Sequence, residues 1–345
     1  MKLLVITQVV DDNDPLLGFF TGWIRGFSER VETVVVVGLQ VGTYSFPANV
    51  SVHSLGKEWG NGSRLSYILR SLGYIWKYRN EYDAVFVHQN QEYVLLAGLL
   101  WKLLGKKVYL WRNHYAGSMM TRLAVLLATN TFCTSRHSYT APYKKNIFMP
   151  VGVDTEEFSQ SGEVERVSRS ILFLARMTPS KHAEVLIDAL IQLKQKGVSY
   201  TASFVGSPIP GGEAYYQSLI ARAEPCKDMV QFLPGVAKTE AAVLFRQHEI
   251  FVNCSPSGMF DKTLFEAGIS GALVVASSAD YAALSRPELS FVEGNADSLA
   301  QVLEKLLASS REEAESLQQS VEKLSKSQGL NILMDSLIRV ILKAQ

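Results

Sequence analysis

The stretch that decides the fold is ILFLARMTPSKHAEVLIDAL, residues 171–190. Its first part is a short apolar run of strand length, and its second part, from about residue 182, has apolar residues at the spacing of an amphipathic helix. Two cations, Arg176 and Lys181, stand in the turn between them. The segment therefore predicts one strand, loop and helix unit, which is the repeating piece of a doubly wound parallel sheet.

The same alternation extends to both sides of this unit. Short apolar runs such as KLLVIT and TVVVVGL alternate with longer helical patterns over residues 2–152, and the alternation continues beyond residue 190 through EIFVNCS and ALVVASS. Such alternation is typical of βα units on parallel sheets. The sequence therefore predicts an α/β protein with two doubly wound, Rossmann-like domains.

A polar stretch without apolar periodicity, SQSGEVERVSR at residues 159–169, separates the two halves. A chain of 345 residues is about right for two domains of ordinary size. We therefore predict a first domain over residues 1–158 and a second over 159–328. A terminal helix over 329–345 has no strand left to pair with, and it caps the domains or crosses back over the first.

The composition is that of a folded protein without a polyanionic partner. Hydrophobic residues make up 47% of the chain and the formal net charge is +1, which argues against a disordered chain and against nucleic-acid binding. Cys133, Cys226 and Cys254 lack metal-ligand spacing and fit reduced thiols. No uncharged apolar run has the length of a membrane span. We predict a cytoplasmic protein, either free or at the inner face of the plasma membrane.

Arg176 and Lys181 form the first candidate site. Ligands of open parallel sheets bind beyond the carboxyl ends of the strands, so both cations are expected at the binding edge. A guanidinium fork, an ammonium point charge and a helix N-terminus together suit a phosphate leaving group. We predict that both residues are catalytic. The alternative is a pair of solvated basic residues in a βα loop.

A second candidate site lies in NCSPSGMFDKTLFEAGISGALVVAS, residues 253–277, which begins at a strand end and enters a helix near Asp261. Free backbone N–H groups at such a helix start can hold a diphosphate. Lys262 and Glu266 share one helix face, and the Glu266 carboxylate can accept hydrogen bonds from two ribose hydroxyls. The alternative is an ordinary surface ion pair. The predicted binding residues of this loop are Gly258, Met259, Phe260, Asp261, Lys262, Thr263 and Glu266.

Together, the two segments resemble the retaining glycosyltransferases of family 4, the glycosyl transferases group 1, which have the glycosyltransferase B fold. LARMTPSKHAEVLIDAL is similar to the family's Gly-Arg-x-x-x-x-Lys-Gly run, with Arg176 and Lys181 at the positions that hold the donor diphosphate. SPSGMFDKTLFEAGISG is similar to the family's donor loop, in which Glu266 matches the ribose-binding glutamate.

The chain departs from this family at several positions. Gly258 stands where the family has its first glutamate, which lies against the donor sugar. We expect Asp261 and Lys262, at the start of the helix, to replace part of that contact. Ala175 and His182 stand where the family has glycines beside its arginine and lysine.

Weaker features match the family in order and spacing. FVGSPIPGG, residues 204–212, resembles the family's phosphate-side glycine loop and contributes Gly206 to the predicted donor site. VQFLPGV, residues 230–236, resembles a turn beside the nucleotide base and contributes Gly235.

The first half of the chain has fewer specific features. Gly18 follows the first predicted strand, where the family has a glycine loop near the donor phosphates. His88 and His114 follow later strands, where an imidazole can bind a sugar or accept a proton. The family commonly has a histidine at the position matched by His114, so we predict a catalytic role for it and donor contact for His88; a structural role is the alternative. The acidic residues within 11–14 are interpreted as a helix cap rather than a metal site.

The resemblance implies two domains that face each other across a cleft. It also implies transfer of a hexosyl sugar from a UDP- or GDP-sugar, without cofactor or metal, to a hydroxyl of a cell-envelope lipid or glycan, with retention of configuration. Two alternatives stay open: a nucleotide-sugar epimerase or phosphorylase-like enzyme on the same fold, and a non-catalytic nucleotide-sugar-binding subunit. Aromatic and basic residues in segment 64–80 and beside Trp101 and Lys102 suit peripheral membrane contact; the alternative is an amphipathic helix packed on its sheet.

Overall fold

The computed structural model describes residues 1–14, 16–159, 164–258 and 260–343. The chain forms two compact units, each with its own parallel β-sheet flanked by helices, which confirms the predicted fold class. The first domain comprises Met1–Gly152 and the last helix, and the second domain comprises Val153–Gly329. This division lies before the predicted boundary at residue 158, because the short helix Thr155–Phe158 packs against helices of the second domain.

The first domain begins with strand β1, an interior strand of its sheet. The order of the strands in the sheet is β3-β2-β1-β4-β5-β6-β7, and all neighbouring pairs are parallel. The strands are β1 (Lys2–Val10), β2 (Thr33–Val41), β3 (Val50–Ser54), β4 (Ala84–His88), β5 (Lys107–Trp111), β6 (Asn130–Cys133) and β7 (Asn146–Phe148). The helices between them are α1 (Phe19–Ser28), α2 (Arg64–Lys77), α3 (Gln91–Leu103) and α4 (Met119–Leu127).

Side chains of β1 alternate between two hydrophobic cores. Leu3 and Val5 lie in the core that α1 covers, whereas Leu4 and Ile6 lie in the core that α2, α3 and α4 cover. Because successive side chains of a strand point to opposite faces of its sheet, a strand covered on both faces needs an unbroken apolar run. The apolar run LLVI, residues 3–6, therefore explains why this strand lies in the interior of the sheet.

The second domain repeats this architecture with a smaller parallel sheet of order β10-β9-β8-β11-β12. Its strands are β8 (Val167–Leu174), β9 (Thr201–Val205), β10 (Val230–Leu233), β11 (His248–Asn253) and β12 (Leu273–Ala276). Its helices are α5 (Thr155–Phe158), α6 (Ala183–Gln195), α7 (Glu213–Arg222), α8 (Lys238–Gln247), α9 (Thr263–Ile269), α10 (Ala279–Ala282), α11 (Ala296–Ala308) and α12 (Arg311–Ser327).

The last helix, α13 (Leu330–Lys343), packs against α1 of the first domain. Leu333, Leu337 and Ile341 follow one another at intervals of four residues and are fully buried, so one face of this helix completes the core on that side of the sheet. Across the described ranges, no helix combines the length and the apolar character that a membrane span requires.

Candidate functional site

The order of the strands brings the two segments singled out by the sequence together. β8 and β11 are neighbours, with Leu172 opposite Phe251, so the loops that follow these strands open at the same edge of the sheet. Lys181 lies on the first loop and Asp261 on the second. The Lys181 ammonium group is 2.6 Å from Oδ2 of Asp261.

One oxygen of Asp261 is the centre of a hydrogen-bond network. Besides Lys181, the Ser255 hydroxyl at 2.6 Å and the Asn253 amide at 3.1 Å donate to it. Burial alone raises the pKa of the Asp261 carboxyl, but the Lys181 charge and these hydrogen bonds outweigh burial and hold the pKa below its ordinary value. Asp261 is therefore an ionised counter-ion that positions Lys181.

Arg176 presents its side chain to solvent. The guanidinium is exposed and has no hydrogen-bond or ion-pair partner within the part of the chain that the structure describes. Its backbone is held, since its carbonyl oxygen accepts from the Thr178 N–H at 2.9 Å and the next residue, Met177, donates to the Ser207 carbonyl at 3.0 Å. A fixed backbone with an unpaired planar fork suits bidentate binding of an anion.

The backbone of His182, the residue after Lys181, has a conformation that favours glycine. Its backbone has φ of 48°, in the left-handed region that non-glycine residues seldom adopt. The His182 ring Nδ1 lies 3.0 Å from Oε1 of Glu184, a contact that holds the side chain on the outside of the turn. The histidine at this departure from the family pattern thus has a left-handed backbone.

Gly206 is required by the close approach of two loops. A Cβ atom at this position would lie 1.8 Å from the Ala175 carbonyl oxygen, at the end of β8. Gly235 has no such restriction, because its nearest neighbour, Oγ of Ser207, would lie 3.3 Å away. Its N–H donates to that hydroxyl at 2.9 Å. Gly206 thus lies against Ala175, next to Arg176, whereas Gly235 lies against Ser207, and only Gly206 is sterically necessary.

Lys262 and Glu266 lie at the start of α9, half-buried. Burial lowers the pKa of Lys262 and raises that of Glu266, in both cases toward the neutral form. The Glu266 carboxylate has no hydrogen-bond partner among the described residues. A half-buried carboxylate with open acceptor positions can accept hydrogen bonds from the two hydroxyls of a ribose.

Gly258 occupies the position of the missing family glutamate. Its φ of 88° lies in the left-handed region, and its N–H donates to Oδ2 of the buried Asp280 at 3.2 Å. The adjacent Ser257 donates its N–H to Oε2 of Glu293 at 3.1 Å. Two carboxylates from other elements therefore hold this turn, and neither was identified from the sequence.

Phe260, another predicted residue of this loop, has its ring in the core. Phe260 is buried and packs edge-on against Phe265 at 5.1 Å between ring centroids. Only its backbone is therefore available for contact with a donor. α9 begins at Thr263, after the predicted start near Asp261. Met259 lies outside the described residues.

His88 lies in the core of the first domain, which contradicts its predicted contact with the donor. Only 1% of the residue is exposed, and its ring stacks on Phe20 at 4.0 Å between centroids. The Thr7 hydroxyl lies 3.3 Å from its Nδ1. The ring is thus a packed core element beneath α1, at the end of a strand whose apolar neighbours are equally buried.

His114 and Gly18 lie on loops that follow β5 and β1. His114 is exposed, and its Nδ1 accepts a hydrogen bond from the Ala116 N–H at 2.9 Å, which leaves Nε2 available to a ligand. Gly18 begins α1, and a Cβ there would lie 2.6 Å from the Asp14 carbonyl oxygen. Its lack of a side chain is therefore required by packing within the loop.

The acidic residues before α1 bind groups of the protein itself. Asp11 accepts from the N–H of Thr43 at 3.2 Å, and Asp12 forms an ion pair with Arg25 at 2.6 Å. Asp14 accepts from two N–H groups just before α1.

Residues 168–309 match the family described as Glycosyl transferases group 1. In sequence, no curated protein matches the chain.

Solved structures resemble the chain over its whole length. Anabaena Alr3699/HepE in complex with UDP has a TM-score of 0.78 at 16% sequence identity, with 100% of both chains covered. Sucrose-phosphate synthase from Thermosynechococcus elongatus has a TM-score of 0.76 at 13% identity, with 100% of both chains covered. The trehalose 6-phosphate synthase from Burkholderia multivorans has a TM-score of 0.75 at 13% identity and covers 99% of this chain and 96% of its own. The chain shares the fold of these proteins.

Proposed function

We propose that this chain, which has the glycosyltransferase B fold and a second domain of the group 1 glycosyltransferases, transfers a hexosyl residue from a nucleoside-diphosphate sugar to a hydroxyl group, with retention of configuration. The observation that carries the proposal is the pair of cations in the loop that follows β8. Arg176 is exposed and has no ion-pair partner among the residues that the structure describes, and Lys181 is anchored by Asp261. This arrangement suits a leaving diphosphate.

The proposed donor follows from the groups beside these cations. Glu266 is suited to the ribose, and the N–H groups before α9 are suited to the phosphates. Structures of HepE contain UDP, or UDP and glucose, or UDP-glucose, which makes UDP-glucose the first donor to test, ahead of GDP-sugars. The positive charge comes from side chains, so the proposed reaction uses no cofactor or metal.

In the proposed reaction, the bond between the anomeric carbon and the diphosphate oxygen breaks as the sugar becomes oxocarbenium-like. Negative charge then grows on the diphosphate, where Arg176 donates through its fork and Lys181 through its ammonium group. The acceptor hydroxyl gives its proton to an oxygen of the departing diphosphate and bonds to the anomeric carbon on the face that the diphosphate leaves. This course gives retention without a covalent sugar–enzyme intermediate.

We further propose a cell-envelope lipid or glycan as the acceptor, in polysaccharide biosynthesis at the inner face of the plasma membrane. The exposed Nε2 of His114 on the first domain supports a role for this ring in contacting the sugar or the acceptor.

A second candidate is a non-catalytic subunit that binds a nucleotide sugar. Gly258 favours it, because the position that supplies a carboxylate in the family has no side chain and a left-handed backbone. Such a subunit would keep the contacts of Arg176 and Glu266 with the nucleotide and lack the contact with the sugar.

A donor panel distinguishes these functions. Purified protein is incubated with UDP-, GDP- and ADP-hexoses, with and without lipid or glycan acceptors, while nucleoside diphosphate release and thermal stabilisation are followed. Release that depends on the acceptor, with a retained anomer in the product by NMR, supports the transferase. Stabilisation without release under every acceptor supports the binding subunit, and release without any acceptor supports an epimerase.

A further inference from the structure

The outer faces of α3 and α4 are apolar where surface helices usually carry polar side chains. The two helices pack against each other, and their exposed large hydrophobic residues recur at helical spacing. We name these residues the apolar ridge: Leu96, Leu99, Leu103, Met119, Met120, Leu123 and Leu126. Leu103 is 87% exposed, and a contiguous exposed patch of this kind marks an interaction surface.

The inner faces of these helices are fully used by the core. Val94 and Ala97 of α3 and Ala124 of α4 are buried beneath the helices. Trp101 is also fully buried, with its indole N–H donating to the Tyr82 hydroxyl at 3.1 Å, so it cannot contact lipid as the sequence suggested. The ridge is therefore additional to the apolar surface that the fold requires.

Lysines gather at one end of the ridge. Lys102, Lys106, Lys107 and Lys145 line a surface cavity of about 300 Å³, together with Leu126 of the ridge. The residues around this cavity include no carboxylate. Because like charges repel one another at this range, an anionic partner would stabilise this group of lysines.

Two of these lysines are engaged and two are available. Lys145 donates to the Ala128 carbonyl at 2.8 Å, close to the end of α4, and Lys106 donates to the Tyr82 carbonyl at 2.5 Å. Lys102 and Lys107 are exposed and have no ion-pair or hydrogen-bond partner within residues that the structure describes. Burial and the charge of Lys102 lower the pKa of Lys145, as expected where cations lie together without a counter-ion.

We propose that the apolar ridge and the lysines at its end form a docking surface for an anionic phospholipid bilayer. The leucine and methionine side chains enter the boundary between headgroups and acyl chains, while Lys102 and Lys107 contact the lipid phosphates. This surface deepens the proposed function by naming where the enzyme meets the membrane. It does not depend on the identity of the donor.

The proposed surface differs from the one expected from segment 64–80. Arg70 donates to the Leu55 carbonyl at 2.7 Å and stacks over Trp59, and the Tyr74 hydroxyl donates to the Ser54 carbonyl at 3.3 Å. These side chains hold α2 to its own domain. Arg70 and Tyr74 are therefore less available to lipid than the ridge is, whereas Leu65, Leu69 and Trp76 of the same segment are exposed.

Vesicle co-sedimentation of the full chain, without any sugar nucleotide, tests the proposal. Phosphatidylcholine vesicles with and without phosphatidylglycerol are compared. We expect the protein to pellet with the anionic vesicles and to be released by salt. Lys102→Gln with Lys107→Gln is expected to weaken binding roughly 25-fold, because each cation near an anionic surface contributes a factor of about five. Leu99→Ser with Leu103→Ser is expected to weaken it at every lipid composition.

Matched controls are available elsewhere on the chain. Leu284→Ser with Leu342→Ser changes two leucines of about half exposure that lie outside the ridge. Lys305→Gln with Lys323→Gln removes the same charge from exposed positions of the second domain. Both controls are expected to bind anionic vesicles like the wild type. All substituted positions are exposed, and melting followed by circular dichroism checks that each variant is folded.

Two results would overturn the proposal. One is wild-type protein that stays in the supernatant with anionic vesicles at low salt. The other is a concentration-dependent dimer that the ridge substitutions abolish, because the ridge would then be an interface between copies of this chain. Release of nucleoside diphosphate from the donor, measured without vesicles, tests the proposed function separately. The docking proposal and the proposed function can therefore be refuted independently of each other.

Discussion

The Lys181 ammonium group and the Asp261 carboxylate lie 2.6 Å apart, on loops that follow two neighbouring strands of the second domain. The side chains are only 10% and 22% exposed. Breaking a largely buried ion pair from one side leaves an uncompensated charge, whereas an exposed pair contributes little. This contact therefore links the proposed donor site to the stability of its domain.

Removal of either cation is expected to slow transfer. Arg176→Ala and Lys181→Ala should each lower kcat/KM for the donor by about 2 to 4 kcal/mol of transition-state stabilisation, since each removes a donor from the developing diphosphate charge. Steady-state kinetics with the donor that the panel identifies provides the measurement. Arg222→Ala, which breaks an exposed ion pair with Asp188, is the control and should leave kcat/KM unchanged. Turnover near the wild-type rate in either test variant would refute the leaving-group role.

Asp261→Asn is expected to lower the free energy of unfolding by about 3 kcal/mol at neutral pH, because Lys181 would lose its counter-ion. Asp261 has a depressed pKa in the folded protein. Its contribution is therefore present above the ordinary aspartate pKa of about 3.9 and disappears as pH falls through the lower folded value. Urea unfolding at a series of pH values should show the two proteins converging in that acid range. A difference that stays constant across it would contradict this account.

Glu266→Gln is expected to weaken nucleoside diphosphate binding by about 1.5 to 3 kcal/mol, the scale of a hydrogen bond to a charged group. Burial raises the pKa of Glu266, and ribose hydroxyls donate best to the ionised form. Wild-type affinity should therefore fall as pH drops through this raised pKa, whereas the glutamine variant should lack that dependence. Isothermal titration calorimetry checks both, with Glu240→Gln, an exposed glutamate of the same domain, as the matched control.

Gly258→Glu restores the family residue in this sequence but is expected to destabilise the protein without increasing activity. The left-handed φ of 88° disfavours any side chain by roughly 1 to 2 kcal/mol. A glutamate there would also add charge beside Asp280, whose carboxylate already accepts from the Gly258 N–H. Gly258→Ala measures the loss of stability from a side chain at this left-handed φ without any added charge. A glutamate variant that is as stable as wild type and faster would show that the missing carboxylate limits catalysis.

Gly206→Ala is expected to destabilise the second domain strongly, because the new Cβ would lie 1.8 Å from the Ala175 carbonyl oxygen. Gly235→Ala introduces the same atom with no contact under 3.3 Å and should be nearly neutral. Differential scanning fluorimetry of the two variants tests the contrast. Equal melting temperatures would mean that the loops carrying Ala175 and Gly206 can separate at little cost.

The sequence was sufficient to predict the fold because its signals are local. An apolar run of strand length followed by an amphipathic helix can be recognised without knowing its neighbours, and the position of Arg176 after a buried strand follows from the same pattern. The contact of Lys181 with Asp261 depends instead on β8 and β11 being neighbours, and they are separated by β9 and β10 in the chain. Sequence spacing alone does not supply that order.

The wrong prediction for His88 has a related cause. A polar residue at the end of a strand resembles a binding residue, but its environment depends on the aromatic side chains that α1 brings over the sheet. Asp280 and Glu293 were missed for the opposite reason. They belong to segments after β12 and reach the loop after β11 only through tertiary packing.

The packing of α13 on α1 affects the order in which the chain can be completed during synthesis. Leu333, Leu337 and Ile341 are fully buried in the first domain, yet the ribosome makes them after the whole second domain. A nascent first domain therefore keeps an uncovered apolar groove until residues 330–343 have been made. A gene fragment that stops at residue 152 would encode that groove permanently, whereas one for residues 153–329 would encode a complete core.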